Sequence, residues 1–297
     1  MSVIIPTFRR SDFLIRAIRS VIDQSYTNVE IIVVDDNQGD DVFRAEAKER
    51  VKRNFSDRPI IYIEHKTNRG LPAARNSGIK AATGEFIAFL DDDDEWLPKK
   101  LEKQIALFRS LPQNYGVVSC GWNLIHSVNK YRRQVRPGFR GDLYKILGVN
   151  HFSPPSMVVV KRSFLDNVQG FDEDFKWRQD VELYFRLSQY CLFDFVDEYL
   201  VNYYYHEGSM SRNLNQKLKA VNQFIKKHGV KLSQNDVPWS EIHERKGELA
   251  AATGKLLTST KSFLIAIKNR PTRIQIIGKL VASLLGARIY RKIRGIK

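Results

Sequence analysis

Apolar and polar positions follow one another in blocks along the first ninety residues. Residues 3–5 form a short apolar run that predicts a strand. Ser11 then stands as the N-cap of a predicted helix whose apolar face holds Leu14, Ile15, Ile18, Val21 and Ile22. A β-branched run over 29–34 stops at Asp35-Asp36. A charged helical stretch over 41–54 leads to a strand at 60–63, a helix over 71–82 and a buried strand at 86–90. Strands apolar on both faces and separated by helices predict a mostly parallel sheet with right-handed crossovers.

From Pro98 the pattern loosens. An amphipathic helix is predicted over 99–109 and a strand at 117–120. Residues 121–155 read as irregular, with Pro137, Gly138, Gly141, Pro154 and Pro155. A strand at 157–160, a helix over 180–189 and an aromatic strand at 201–205 follow. Beyond residue 211 the chain reads as helical, with loops near 233–238 and at Pro271. In the tail, Ile274, Ile277, Val281, Leu285, Ile289 and Ile293 recur at three- and four-residue steps, and Ile276, Leu280 and Leu284 widen that face. The organisation expected is an α/β domain over 1–210, divided near residue 97, and a helical region over 211–297.

Composition fits an ordinary globular protein: of 297 residues, 43% are hydrophobic and 27% charged, which excludes disordered and fibrous classes. Two cysteines, Cys120 and Cys191, are too few for a disulfide framework, and a reducing compartment is the default. No basic leader precedes the first strand, and no apolar run approaches the roughly 18 to 20 residues of a membrane span. The folded body is therefore expected in the cytoplasm. The formal net charge of +15 is unevenly spread: no acid follows Glu248, while eleven lysines and arginines do. With Arg273, Lys279, Arg288, Arg291, Lys292 and Arg294 flanking the apolar stripe, the tail reads as an interfacial helix on an anionic membrane. A helix packed on the body with a solvated basic side is the alternative. Nucleic acid is not expected, because no recognised module accompanies the tail.

Ligands of open parallel sheets bind beyond the carboxyl ends of the strands. Three clusters sit there: Pro6-Thr7-Phe8, Asp35-Asp36 and Asp91-Asp92-Asp93-Asp94. Four adjacent carboxylates repel one another unless a cation binds, and Mg²⁺ or Mn²⁺ suits such oxygen donors. A solvated acidic turn capping the next helix is the competing reading. The first strand–helix junction has no glycine-rich turn and the chain has no G-x-x-x-x-G-K, which disfavours dehydrogenase and P-loop chemistry.

Four blocks in order, residues 2–8 (SVIIPTF), 30–36 (EIIVVDD), 68–76 (NRGLPAARN) and 89–98 (FLDDDDEWLP), resemble those of family 2 glycosyltransferases. The resemblance implies a GT-A fold, with a nucleotide-binding half over 1–97 and an acceptor half over 98–210. It also implies a nucleotide-sugar donor, a divalent metal and inversion at the anomeric carbon. Pro6, Thr7 and Phe8 would border the nucleobase, and Asp36 would accept from its N3–H, favouring a uracil or thymine nucleotide. Arg75 would reach the diphosphate, Asp91 and Asp92 would lie near ribose and metal, and Asp93 would be the main metal ligand, with His206 as a further metal or phosphate contact. The family usually shows Glu-Asp at the start of a later helix, its second acid being the base. This chain has Gln179-Asp180, leaving Asp180 as candidate base with Asp172 and Asp174 as rivals. Trp177 and Trp122 are suited to stacking on a sugar face or to the core. The expected enzyme uses a UDP-sugar and a glycan or polyprenyl-diphosphate-linked acceptor at the inner membrane face. Competing classes are a nucleotidyltransferase and a non-enzymatic basic protein.

Overall fold

The computed structural model describes residues 1–126, 132–145, 152–205 and 213–295. The chain divides into two compact units, Met1–Leu143 with Gly148–Gly208, and Tyr144–Leu147 with Ser209–Lys297.

In the first unit, strands β1 (Ser2–Thr7), β2 (Glu30–Asp35), β3 (Ile60–Glu64) and β4 (Phe86–Phe89) alternate with helices α1 (Ser11–Ile22), α2 (Val42–Asn54) and α3 (Leu71–Ala81). The four strands are parallel in the order β3-β2-β1-β4. Thr7 pairs with Asp35, and Asp35 with Glu64, so the carboxyl ends of these strands finish level. β1 and most of β2 are buried on both faces, as expected of apolar runs under helices. Ser11 departs from its expected place. It is the first helical residue of α1, and its hydroxyl donates to Glu46 Oε1 (2.8 Å) on α2; the N-cap is Arg10, which makes no side-chain capping bond.

The second half of the unit supplies β5 (Glu95–Trp96), α4 (Lys100–Ser110), β6 (Tyr115–His126), β7 (Arg132–Val135), β8 (Val159–Lys161), α5 (Arg162–Asn167), α6 (Gln179–Leu187) and β9 (Leu192–Tyr205). Among the described residues the sheet has nine strands, continuing beyond β4 as β8-β6-β9-β5, with β7 on β6. β6 and β9 are far longer than their apolar patterns suggest. They run side by side from Tyr115 opposite Leu192 to His126 opposite Tyr205, with irregularities around Gly121 that break the alternation. A Cβ at Gly121 would sit 2.9 Å from the Tyr199 ring and 3.0 Å from the Glu198 carbonyl oxygen, so only glycine permits that approach. One core spans both halves, from Val3, Ile5 and Ile18 to Trp96, Val118, Trp122 and Val201.

The second unit is helical: α7 (Leu214–Leu232), α8 (Asp236–Ala252), α9 (Leu256–Asn269), α10 (Gln275–Leu284) and α11 (Ala287–Ile293). The loop expected over 233–238 is shorter, because Asn235 caps α8 by accepting from Val237 N (3.2 Å) and Pro238 fits within the first turn. The tail is not one helix. Gly286, at φ 88°, separates α10 from α11. Ile276 and Tyr290 are fully buried, whereas the stripe Ile274, Ile277, Val281, Leu285, Ile289 and Ile293 is between 43 and 75% exposed. Arg273, Lys279 and Arg294 turn onto a glutamate row on α8. Glu241 meets Arg270 (3.2 Å) and Arg273 (3.4 Å), Glu244 meets Arg273 (3.0 Å) and Lys279, and Glu248 meets Lys279 (2.6 Å) and Arg294 (3.3 Å). Among the described residues no helix is long and apolar enough to cross a membrane.

Candidate active site

The turn after β4 carries the four aspartates, and each takes a different partner. Asp91 accepts from Arg75 Nη2 (2.5 Å), which α3 delivers fully buried across the top of β1. Asp92 accepts from the Thr7 hydroxyl (2.8 Å) and lies 3.4 Å from Arg10 Nη1. The same Arg10 nitrogen donates to Asp93 Oδ2 (2.5 Å), and Arg16 donates to the Asp93 carbonyl (2.6 Å). Asp94 is sealed off, accepting from the Ser156 hydroxyl (2.5 Å) and from Tyr204 N (3.2 Å).

Burial and then the neighbouring Asp93 push Asp92 up to about 7, and the same two causes raise Asp94 well above the usual carboxylate range. Burial and the crowding of acids thus disfavour the charged forms at this turn even with Arg10, Arg16 and Arg75 beside it. Carboxylate oxygens in such a field suit a hard divalent cation, so the donor chemistry fits Mg²⁺ or Mn²⁺. Among the described residues, however, no three metal-ligating side chains converge, and Arg75 and Arg10 occupy Asp91 and Asp93. His206 lies outside the described residues.

Asp35 and Asp36 end the next strand. Asp35 is wholly buried and accepts from Tyr62 OH (2.7 Å) and Asn37 N (2.8 Å), with Arg44 alongside. Asp36 accepts from Arg69 N (2.8 Å), Gly70 N (2.8 Å) and His65 Nδ1 (2.7 Å). The N–H of Gly70 reaches it because the residue sits at φ 89°, a conformation that favours glycine. Pro6 is buried within β1, while Phe8 is 41% exposed and carries the Arg9 guanidinium over its ring at 5.1 Å.

Asp180 enters from α6, 86 residues beyond Asp94 in sequence, in the first turn after Arg178, which adopts φ 57°. Burial first, then Asp94, Asp91, Asp93 and Asp180 together, raises the Tyr203 hydroxyl; burial, Asp180 and Asp91 raise that of Tyr184. Asp172 instead accepts from Asp174 N (2.9 Å) within its own turn, and Asp174 is exposed. Gln179, in place of an acid, is buried with its Oε1 unpaired among the described residues. Trp122 is in the core and Trp177 is half-buried. A separate cavity of about 540 Å³, lined by Glu30, Thr83, Glu85 and Arg109 among others, contains none of these residues.

Several participants escape sequence reasoning: Arg10, Arg16, Ser156, His65, Tyr203 and Tyr204. Only the two tyrosines carry a local signal, an aromatic strand ending beside a loop.

Residues 2–169 match the family model described as Glycosyl transferase family 2. The chain belongs to glycosyl transferase family 2. An uncharacterized glycosyltransferase of Rickettsia bellii is 32% identical over 190 residues, covering 63% of this chain but only 26% of that protein. This chain therefore spans about a quarter of that relative's length. The Escherichia coli protein named UDP-Glc:alpha-D-GlcNAc-diphosphoundecaprenol beta-1,3-glucosyltransferase WfgD is 34% identical over 137 residues, 46% of this chain and 51% of its own. Among solved structures, Staphylococcus aureus TarS 1-349 in complex with UDP-GlcNAc matches with TM-score 0.57 at 18% identity, over 90% of this chain and 88% of that one. The mannosyltransferase PcManGT of Pyrobaculum calidifontis, in complex with GDP-Man and Mn²⁺, matches with TM-score 0.60 at 17% identity, over 99% and 83%. At those identities the likeness speaks for the fold, which is GT-A. The acidic turn after β4 and Asp36 after β2 thus lie on a family 2 glycosyltransferase scaffold followed by a helical region.

Proposed function

We propose that this family 2 enzyme transfers a sugar with inversion from a UDP-linked donor to a hydroxyl of a glycan or lipid-linked acceptor during polysaccharide assembly. The observation that carries the reading is the acid turn after β4, where Asp91 meets Arg75, Asp92 meets Thr7 and Asp93 meets Arg10 at the carboxyl ends of the parallel strands. Inversion needs a base on one side of the anomeric carbon and charge neutralisation on the other. Asp180 takes the proton of the attacking hydroxyl. Asp36 accepts from the base, Thr7 and Phe8 border it, and Asp91 and Asp92 lie towards the ribose. Arg75, with Nε and Nη1 unpaired among the described residues, donates to the diphosphate. A divalent cation, Mn²⁺ or Mg²⁺, would be held mainly by Asp93 and, when bound, neutralises charge on the departing diphosphate.

A lipid-linked acceptor accords with the name of the WfgD relative and with the exposed apolar stripe of α10 and α11. On this reading the protein works at the cytoplasmic membrane face, and the tail rests on anionic lipid.

The test is a panel of nucleotide sugars scored for hydrolysis and transfer with Mn²⁺, beside thermal stabilisation by UDP. Metal-dependent stabilisation by UDP with turnover of a UDP-sugar is expected. A chain that UDP does not stabilise, and that turns over no UDP-sugar, removes the reading.

A further inference from the structure

A carboxylate offers about four lone-pair directions. Three of those on Asp36 are taken: His65 Nδ1 and Arg69 N reach Oδ1, and Gly70 N reaches Oδ2. Bonds on both oxygens stop the carboxyl group from turning, and among the described residues the free direction is left on Oδ2. His65 is the only side chain on that carboxylate among the described residues, Asn68 donating instead to the Asp36 carbonyl (3.1 Å), and His65 is itself clamped. Nε2 lies 2.8 Å from Ser77 Oγ on α3, the His65 N–H donates to the Asp35 carbonyl (2.9 Å), and Arg44 donates to the His65 carbonyl. Because a carboxylate accepts, Nδ1 presents its N–H to Asp36, and Nε2 is left to the Ser77 hydroxyl. The order Ser77→His65→Asp36 runs from the middle of α3 to the end of β2, and all three groups lie in or against buried structure.

We infer that His65, itself held by Ser77, is a positioning residue that fixes the Asp36 carboxylate so that its one free acceptor direction selects an imide N–H, and hence a uracil-type base over cytosine. The inference rests on the reading of Asp36 as the base contact. Uracil presents a donor at N3, whereas cytosine presents a lone pair there, which a held carboxylate repels. A carboxylate free to rotate, or drawn off by an unpaired Arg69 loop, discriminates less. Selection by a fixed acceptor is strong because the wrong partner leaves a buried polar group unpaired.

The experiment measures UDP and CDP binding to the full chain with Mn²⁺ by calorimetry, with donor KM and kcat alongside. Wild type is expected to prefer UDP by about tenfold or more. His65→Leu should bring that preference within about threefold, mainly through weaker UDP binding, and raise donor KM while kcat stays within about twofold. His65→Asn, whose amide can donate near the place of Nδ1, should keep the preference. Ser77→Ala, a small change available should the leucine variant not fold, should lower the preference in the same direction. A UDP-to-CDP ratio unchanged in His65→Leu or, failing that variant, in Ser77→Ala overturns the inference even where melting temperature falls. Wild type binding both nucleotides equally overturns the uracil reading itself, and the inference with it.

Discussion

Arg75 Nη2 lies 2.5 Å from Asp91 Oδ1, in a guanidinium only 1% exposed whose Nε and Nη1 find no partner among the described residues. The group stands over the Phe171 ring at 5.2 Å. Leaving buried N–H groups unpaired costs about 1–3 kcal/mol each, a cost that a bound anion would remove. Arg75→Lys keeps one charge for Asp91 and deletes the spare donors. Donor KM should rise about tenfold or more, with little loss of UDP-free stability; an unchanged KM would make Arg75 solely the counter-ion of Asp91.

Asp180→Asn preserves shape and removes the proton acceptor. UDP binding should persist while transfer falls roughly 10² to 10⁴-fold, measured under donor saturation. Normal transfer in this variant, with loss in Asp172→Asn or Asp174→Asn, would move the base to the preceding turn.

Asp93→Ala removes the carboxylate paired to Arg10. Transfer should be abolished, and Mn²⁺ should no longer improve UDP binding in a calorimetric titration. Retained metal-dependent UDP binding would place the main ligand elsewhere in the acid turn.

Lys100 is fully buried, 3.8 Å from the Trp96 ring and donating to Gln104 Oε1 (2.8 Å). Burial pushes it down to about 8 from 10.5. Below pH 8 both folded and unfolded chains carry the proton, and the native state bears the cost of the buried charge, about 3 kcal/mol. Between pH 8 and 10.5 the unfolded chain binds more protons, so this group makes stability rise with pH. Denaturant unfolding at pH 7.5 and 10 should show the stability of wild type relative to Lys100→Met rising with pH, whatever the net trend of the other buried groups.

For the tail, the triple change Val281→Ser, Leu285→Ser and Ile289→Ser alters exposed positions and leaves the α8 glutamate row untouched. Stability should change little, whereas sedimentation with anionic liposomes should be lost. Wild-type binding should weaken only partly with salt. Arg273, Lys279 and Arg294 already face glutamates, leaving Arg288, Arg291 and Lys292 as the screened contribution. Liposome binding unaffected by the triple change would exclude this face.

The four parallel strands, the acids that end two of them and the family of the chain were all legible in the sequence. Each rests on a local signal: a β-branched run, a charge where the run stops, a short motif within one turn. Other features had no such signal. The length of β6 and β9 depends on each pairing with the other across a bulge that hides the alternation. Ser11 resembles a cap, yet its partner is a glutamate 35 residues away.

What the sequence by itself determined, then, is the order of elements and the acid-rich strand ends, because side-chain periodicity and backbone propensity act over a few residues. Only the tertiary structure decided which aspartate meets Arg75 and which meets Arg10. It also decided the fate of the tail, where one amphipathic pattern became two helices. Ion pairs and burial are settled by contacts between residues distant in the chain. Three tail cations were drawn to glutamates on α8, and the apolar stripe was left facing outward because Ile276 and Tyr290 had already taken the buried side.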